Sequence, residues 1–274
     1  MGKKWERVCP GHPLFEKKKG GLVMKVRLRI RIMVGVVVSS LLCLSLKALA
    51  QDPKGILEEI YARQGLGAGS FILNLRVDSF DGETQQTAEV RVYLHATKKQ
   101  MVTFISPERL IDQSFLVIGS NTWMYQKGLN RPLRISAQQK LFGEAGIAET
   151  VGIDYLHDYR VVAMEETATH YQLALEALER KTAYQRAKLW IEKNGVVVEK
   201  ILLLSVHGEP LKELRYDHYR SLNGHEVATI EIRNQLYEKD RRTVLNYLSI
   251  QKRELPETAF DPLMMGKFQL LVKE

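Results

Sequence analysis

Phe71-Ile72-Leu73-Asn74-Leu75-Arg76-Val77-Asp78 is the stretch on which the reading of this chain turns. Apolar side chains at Phe71, Leu73, Leu75 and Val77 alternate with Asn74, Arg76 and Asp78, a period of two that places one set on a single face of a strand. Val90, Val92 and Leu94 repeat the pattern against Glu89, Arg91 and His95. Similar segments are predicted at Met101 to Ile105, Phe115 to Ile118, Thr122 to Tyr125, Arg160 to Met164 and Tyr171 to Ala177. Others follow at Ala187 to Glu192, Val196 to Val206, Leu211 to Tyr219, Val227 to Gln235 and Thr243 to Ile250. Asp81-Gly82, Asn194-Gly195 and Asn223-Gly224 each stand between alternating segments. Such dipeptides supply the positive φ angles of two-residue hairpins, so the sheet is expected to be antiparallel.

Two regions break this period. Asp52 as cap, Pro53 in the first turn, Ile56, Leu57, Ile60 and Tyr61 on one face and Gly65 as terminator predict an amphipathic helix. The run Gly65-Leu66-Gly67-Ala68-Gly69 follows that helix and precedes a strand, the reverse of a dinucleotide-binding turn, and reads as a connector. Ser136 to His157, with a capping serine and apolar Leu141, Phe142, Ile147, Val151 and Leu156, predicts one or two short helices lying over the sheet. A meander of this length must curl to hide its edges and its apolar face. The expected fold is therefore mainly β with helices (α+β): a curved antiparallel sheet forming an incomplete β-barrel with a helical lid.

Residues 1–50 read as a leader and 51–274 as one domain. From Met24, the expected start, Lys25, Arg27, Arg29 and Arg31 precede an apolar run to Leu46 and then Ala48-Leu49-Ala50, the order of a secretory signal peptide cleaved after Ala50. The run from Ile32 to Leu46 is shorter than the roughly 20 residues a spanning helix needs. Lipidation of Cys43 is the competing reading, against which Leu42 stands where a small residue is normal. The expected location is the periplasm.

Charge follows from the leader. The chain has 40 basic and 32 acidic residues, of which 11 and 2 lie in the first fifty, leaving 29 and 30. The mature domain is thus close to neutral, without the basic face a nucleic-acid binder needs. Both cysteines, Cys9 and Cys43, lie in the leader, so disulfides, cysteine nucleophiles and cysteine-bound metals are excluded from 51–274. His95, His157, His170, His207, His218 and His225 lack metal spacing, and no serine sits in a G-x-S-x-G elbow, although Asp217 beside His218 could orient an imidazole. Adjacent acids such as Glu58-Glu59 and Glu165-Glu166 point apart. No enzyme activity, metal or cofactor is expected.

Phe104-Ile105-Ser106-Pro107, Gln113-Ser114-Phe115-Leu116-Val117-Ile118-Gly119, Trp123-Met124-Tyr125, Arg131 and Arg134-Ile135-Ser136 carry a family resemblance. With Phe142-Gly143 and the tail Arg242-Thr243-Val244, Leu255-Pro256 and Phe260, they resemble the outer-membrane lipoprotein-sorting (LolA-like) periplasmic carriers. The sequence departs from that pattern at Asp112-Gln113-Ser114 and over Glu144 to Gly152. The resemblance implies a concave apolar face that takes acyl chains of lipoproteins or lipids and moves them to the outer membrane. It also implies an inner-membrane release complex and an outer-membrane acceptor as partners; an envelope sensor or a membrane-anchored acceptor of the same fold is the alternative. The candidate cavity lining is Phe71, Leu73, Leu75, Val90, Val92, Phe104, Phe115, Trp123, Tyr125, Leu173, Leu175, Leu189 and Leu203, and the lid residues are Ile56, Ile60, Leu141 and Phe142. Periodicity alone does not distinguish a filled interior from a hollow one.

Overall fold

The computed structural model describes residues 51–66, 69–236 and 241–272. The expected leader, its cleavage site and Cys43 lie outside the described residues. Helix α1 (Pro53–Gln64) begins where the cap signal placed it: the Asp52 carboxylate accepts from the Lys54 amide, Pro53 opens the first turn and Gly65 ends the helix. Ile56 and Leu57 are buried.

The chain then lays down β1 (Phe71–Asp81), β2 (Thr84–Leu94), β3 (Lys99–Ser106), β4 (Gln113–Ile118), β5 (Asn121–Gln126) and β6 (Leu133–Ile135), each antiparallel to its predecessor. After a crossing segment come β9 (Tyr159–Glu166), β10 (His170–Ala177), β11 (Arg186–Glu192), β12 (Val197–Leu204), β13 (Pro210–Leu222), β14 (His225–Asn234) and β15 (Arg241–Lys252). β15 pairs with β1, so the sheet order is β6-β5-β4-β3-β2-β1-β15-β14-β13-β12-β11-β10-β9. The chain thus walks outward from the centre to one edge, crosses to the opposite edge at β9, and walks back. The result is a large curved antiparallel sheet that does not close into a barrel. Asn223 and Gly224, both at positive φ, form the two-residue hairpin foreseen, and Gly82 does so after Asp81. The Asn194-Gly195 turn is longer, because the strands part at Glu192 and Val197 and leave four residues in the loop.

The crossing segment departs from expectation. Instead of one or two helices over Ser136 to His157 it forms a small hairpin, β7 (Lys140–Phe142) with β8 (Ala145–Gly146), and then a single short helix α2 (Ile147–Val151). The reason lies at Gly143, whose φ is +59° and where a Cβ would sit 2.3 Å from Ser79 Oγ and 2.4 Å from Thr243 Oγ1. The backbone there presses onto the paired central strands β1 and β15, and the left-handed turn this requires cannot lie inside a helix. The lid residues Leu141 and Phe142 therefore sit on a hairpin. Thr243 Oγ1 also accepts from the Glu144 amide at 2.7 Å, pinning the turn.

Both faces of the sheet are covered over β1 to β5. The concave face buries Phe71, Leu73, Leu75, Val77, Val90, Val92, Val102, Phe104 and Phe115 in one core with α1, the crossing segment and the β10 to β15 half. On the opposite face Ile72, Tyr93, Met101 and Leu116 form a second core under the C-terminal segment, which supplies Leu255, Phe260, Met265, Phe268 and Val272. Phe268, in α3 (Phe268–Leu271), meets the Tyr93 ring edge-on at 4.9 Å between centroids. Trp123 and Tyr125, expected in the cavity, belong to this second core. Register explains it: Gly119-Ser120 turns β4 into β5 so that Trp123 faces Leu116 across the ladder while Met124 faces Phe115. Residues opposite one another in a ladder share a face, so Met124 takes the concave side.

Candidate functional site

The hollow of the sheet is partly filled. A cavity of about 870 Å³ remains between α1, the crossing segment and the concave face, running from β1, β2 and β4 across to β11 to β15. Of the residues expected to line it, Phe71, Leu73, Leu189 and Ile60 do so. Leu75, Val90, Val92, Phe104, Phe115, Leu173, Leu175 and Leu203 point to the same face but are packed in the surrounding core, as are Ile56, Leu141 and Phe142. Trp123 and Tyr125 lie on the other side of the sheet.

The two flanks of the cavity differ chemically. Toward β1, β2 and β4 the wall is Phe71, Leu73, Leu94 and Val117. Toward β11 to β15 aliphatic Leu189, Val198, Leu214 and Ile230 are interleaved with Tyr216, Tyr219 and Tyr247. Tyr155 and Tyr159 from the end of the crossing segment and Tyr61 from α1 bring the tyrosines at the wall to six of the chain's eleven. Alternation misses this flank because two of its tyrosines depend on bulges. Tyr216 and Tyr219 are three apart and would face opposite sides of a regular strand. β13 carries one extra residue between Asp217 and Arg220, with His218 at φ +52°, and the bulge turns Tyr219 back inward. β15 does the same with Leu248, so that Tyr247 and Ile250 both line the cavity.

Burial pushes the phenols of Tyr155, Tyr159, Tyr216, Tyr219 and Tyr247 above their ordinary value, so this flank presents neutral hydroxyls throughout the physiological range. Tyr219 donates to the Val198 carbonyl, and Tyr159 donates at 2.8 Å to the carbonyl of Tyr184. Several charges at the wall are paired. Arg63 donates to Glu226 Oε1 at 3.0 Å. Glu149, fully buried, accepts from Lys212 Nζ at 2.9 Å, from the Gly146 amide at 2.6 Å and from the Tyr184 hydroxyl. At the mouth Lys98 meets Asp154, which also meets His157. The pair Asp217 and His218 is exposed, with side chains 77% and 78% accessible, and orients nothing in the cavity. Among the described residues no cluster could hold a metal ion, and no helix is long and apolar enough to cross a membrane.

No curated protein matches the chain. A protein-family model described only as "Uncharacterized protein" matches residues 96–267. Among solved structures, a LolA superfamily protein from Nitrosomonas europaea superposes with a TM-score of 0.69 at 22% identity, over 77% of this chain and 98% of that one. A domain described as outer membrane lipoprotein-sorting, from Vibrio parahaemolyticus, gives 0.62 at 20%, over 78% and 97%. A DUF1329 family protein from Desulfovibrio piger gives 0.63 at 13%, over 77% and 98%. At these identities the likeness is one of fold, and the fold is LolA-like.

Proposed function

Since the chain belongs to the uncharacterized family whose model spans residues 96–267, and has the LolA-like fold, we propose that it is an exported carrier that holds the acyl chains of lipids or lipoproteins in its cavity. The observation that carries this reading is the cavity itself: an 870 Å³ hollow with an apolar wall beneath a helix and a crossing segment, in a protein large enough to have packed it shut. A methylene fills about the space of a liquid water, ~30 Å³, so the hollow has room for roughly 30 such groups, one or two long acyl chains. Each buried methylene contributes about 0.8 kcal/mol, so a single chain outweighs the cost of its ordering. The neutral phenols of the wall suit binding rather than catalysis.

The leader places the carrier in the periplasm, with cleavage after Ala50 leaving a soluble domain from Gln51. An inner-membrane release complex and an outer-membrane acceptor are the partners such a route requires. Release requires the cover to move, and α1 with the crossing segment is the part that spans the opening. The test is titration of the purified 51–274 domain with a fluorescent fatty-acyl probe, followed by competition with a synthetic diacylglyceryl lipopeptide. Saturable enhancement reversed by the lipopeptide supports the proposal, and a flat titration with every acyl probe rejects it.

A further inference from the structure

A container for bare hydrocarbon has no use for unsatisfied polar atoms, yet this cavity has three in its wall. Tyr155 Oη, Glu226 Oε2 and Gln64 Nε2 are buried without a hydrogen-bond partner. Glu226 commits Oε1 to Arg63 and leaves Oε2 open. Gln64, in the last turn of α1, lies against the Tyr219 hydroxyl, whose own proton goes to the Val198 carbonyl, and its Nε2 makes no well-formed bond. Leaving such a group buried and unpaired costs about 1–3 kcal/mol. Three residues with such atoms line one cavity, and Gln64 and Glu226 lie beside Tyr219, which the bulge in β13 turns inward.

We infer that the ligand is an acylated molecule that carries, beside its chain, a neutral group able both to donate and to accept, a hydroxyl or an amide, and that this group pairs with Glu226, Gln64 and Tyr155. The complement is specific: Glu226 Oε2 takes a donated proton, Gln64 Nε2 gives one, and the Tyr155 hydroxyl does either. Charge argues for neutrality. Arg63, the cation at Glu226, is already bound to it, so a ligand carboxylate placed there would meet Glu226 without a free counter-charge. This inference rests on the acyl-carrier reading and narrows it to acyl amides and acyl glycerols over free fatty acids and simple esters.

The experiment measures displacement of a bound anthroyloxy-stearate probe from the 51–274 domain by 1-palmitoylglycerol, methyl palmitate and palmitate, which share one chain. The expected order is palmitoylglycerol first, at roughly tenfold lower concentration than methyl palmitate, the factor one or two net hydrogen bonds supply. Equal displacement by all three overturns the inference and leaves the acyl-carrier reading standing, whereas no binding of probe or competitor overturns both. Tyr155→Phe separates ligand recognition from structure. Removing an unpaired buried hydroxyl leaves the apo melting temperature unchanged or higher, while the palmitoylglycerol preference falls, and falls toward one in the double variant with Gln64→Leu. A double variant that binds the probe and keeps the tenfold ratio overturns the assignment.

Discussion

Lys98 Nζ, in the turn between β2 and β3, lies 2.9 Å from Asp154 Oδ2 at the end of the crossing segment, and so ties the hairpin turn to the cover across the cavity mouth. Asp154 also holds His157 Nδ1 at 2.9 Å, and the His157 ring meets Tyr61 of α1 edge-on. Crossing segment, hairpin and helix thus converge on one carboxylate. An exposed pair of this kind contributes about 0–1 kcal/mol, enough to bias a moving cover without locking it.

Lys98→Ala is therefore expected to leave the melting temperature within a degree or two and to speed ligand release severalfold, read by stopped-flow loss of acyl-probe fluorescence. The pH dependence follows from signs. Burial alone would raise the Asp154 pKa, but Lys98 and His157 outweigh it and hold it below 3.8. Burial opposes the Lys98 charge, and Asp154 outweighs that too, holding Lys98 above 10.5. The tie is present between those limits, is lost as pH falls through the Asp154 value and again as it rises through that of Lys98. Release rates should be flat from pH 5 to 9 and rise below 4; a wild-type rise inside the flat range would contradict control by this pair.

Gly143→Ala should destabilise by about 2 kcal/mol or more, since a methyl at φ +59° would overlap Ser79 and Thr243. Gly82 has the same φ of +59° with nothing within 4 Å, and Gly82→Ala should cost about 1 kcal/mol from backbone strain alone. Urea denaturation of the two variants checks this, and equal losses would mean that the hairpin is not pressed against β1 and β15.

Glu149 and Lys212 form a buried pair, with side chains 0% and 8% accessible, that joins α2 to β13. Lys212→Met leaves a buried carboxylate without its cation and should cost about 3–5 kcal/mol. Glu149→Leu with Lys212→Met should recover much of that loss, because the desolvation of both charges disappears together. Equilibrium unfolding of the single and double variants measures the coupling.

Leu73→Glu and Trp123→Glu should separate the two faces. Leu73 lines the cavity, so its variant should lose acyl-probe binding at least tenfold. Trp123 packs beneath the C-terminal segment, so its variant should lose stability while keeping probe affinity in the fraction that folds. Loss of binding in both to the same extent would deny the division.

The strand segments, the hairpins at Gly82 and at Asn223-Gly224 and α1 were legible in the sequence because each rests on local chemistry: alternation in β1, the Asp52 cap, and positive φ at Gly82, Asn223 and Gly224. What was not legible depends on contacts far apart in sequence. The Gly143 turn exists because Ser79 and Thr243 meet beneath it. The face of Trp123 was set by its register against Leu116. The tyrosine flank was hidden because the extra residues near His218 and Leu248 shift the parity that alternation assumes. Tyr216 and Tyr219, three apart with His218 between, were the available signal of a bulge. Gln64 and Glu226 read as ordinary polar residues and acquire meaning only from the wall they share.

The most direct measurement is native mass spectrometry of the protein purified without detergent from a Gram-negative periplasm, compared before and after organic extraction. The account predicts a polypeptide beginning at Gln51 that carries one acylated, uncharged lipid or lipoprotein fragment, released by extraction. A bare polypeptide mass before extraction, with no acyl ligand taken up on incubation with vesicles, would contradict it.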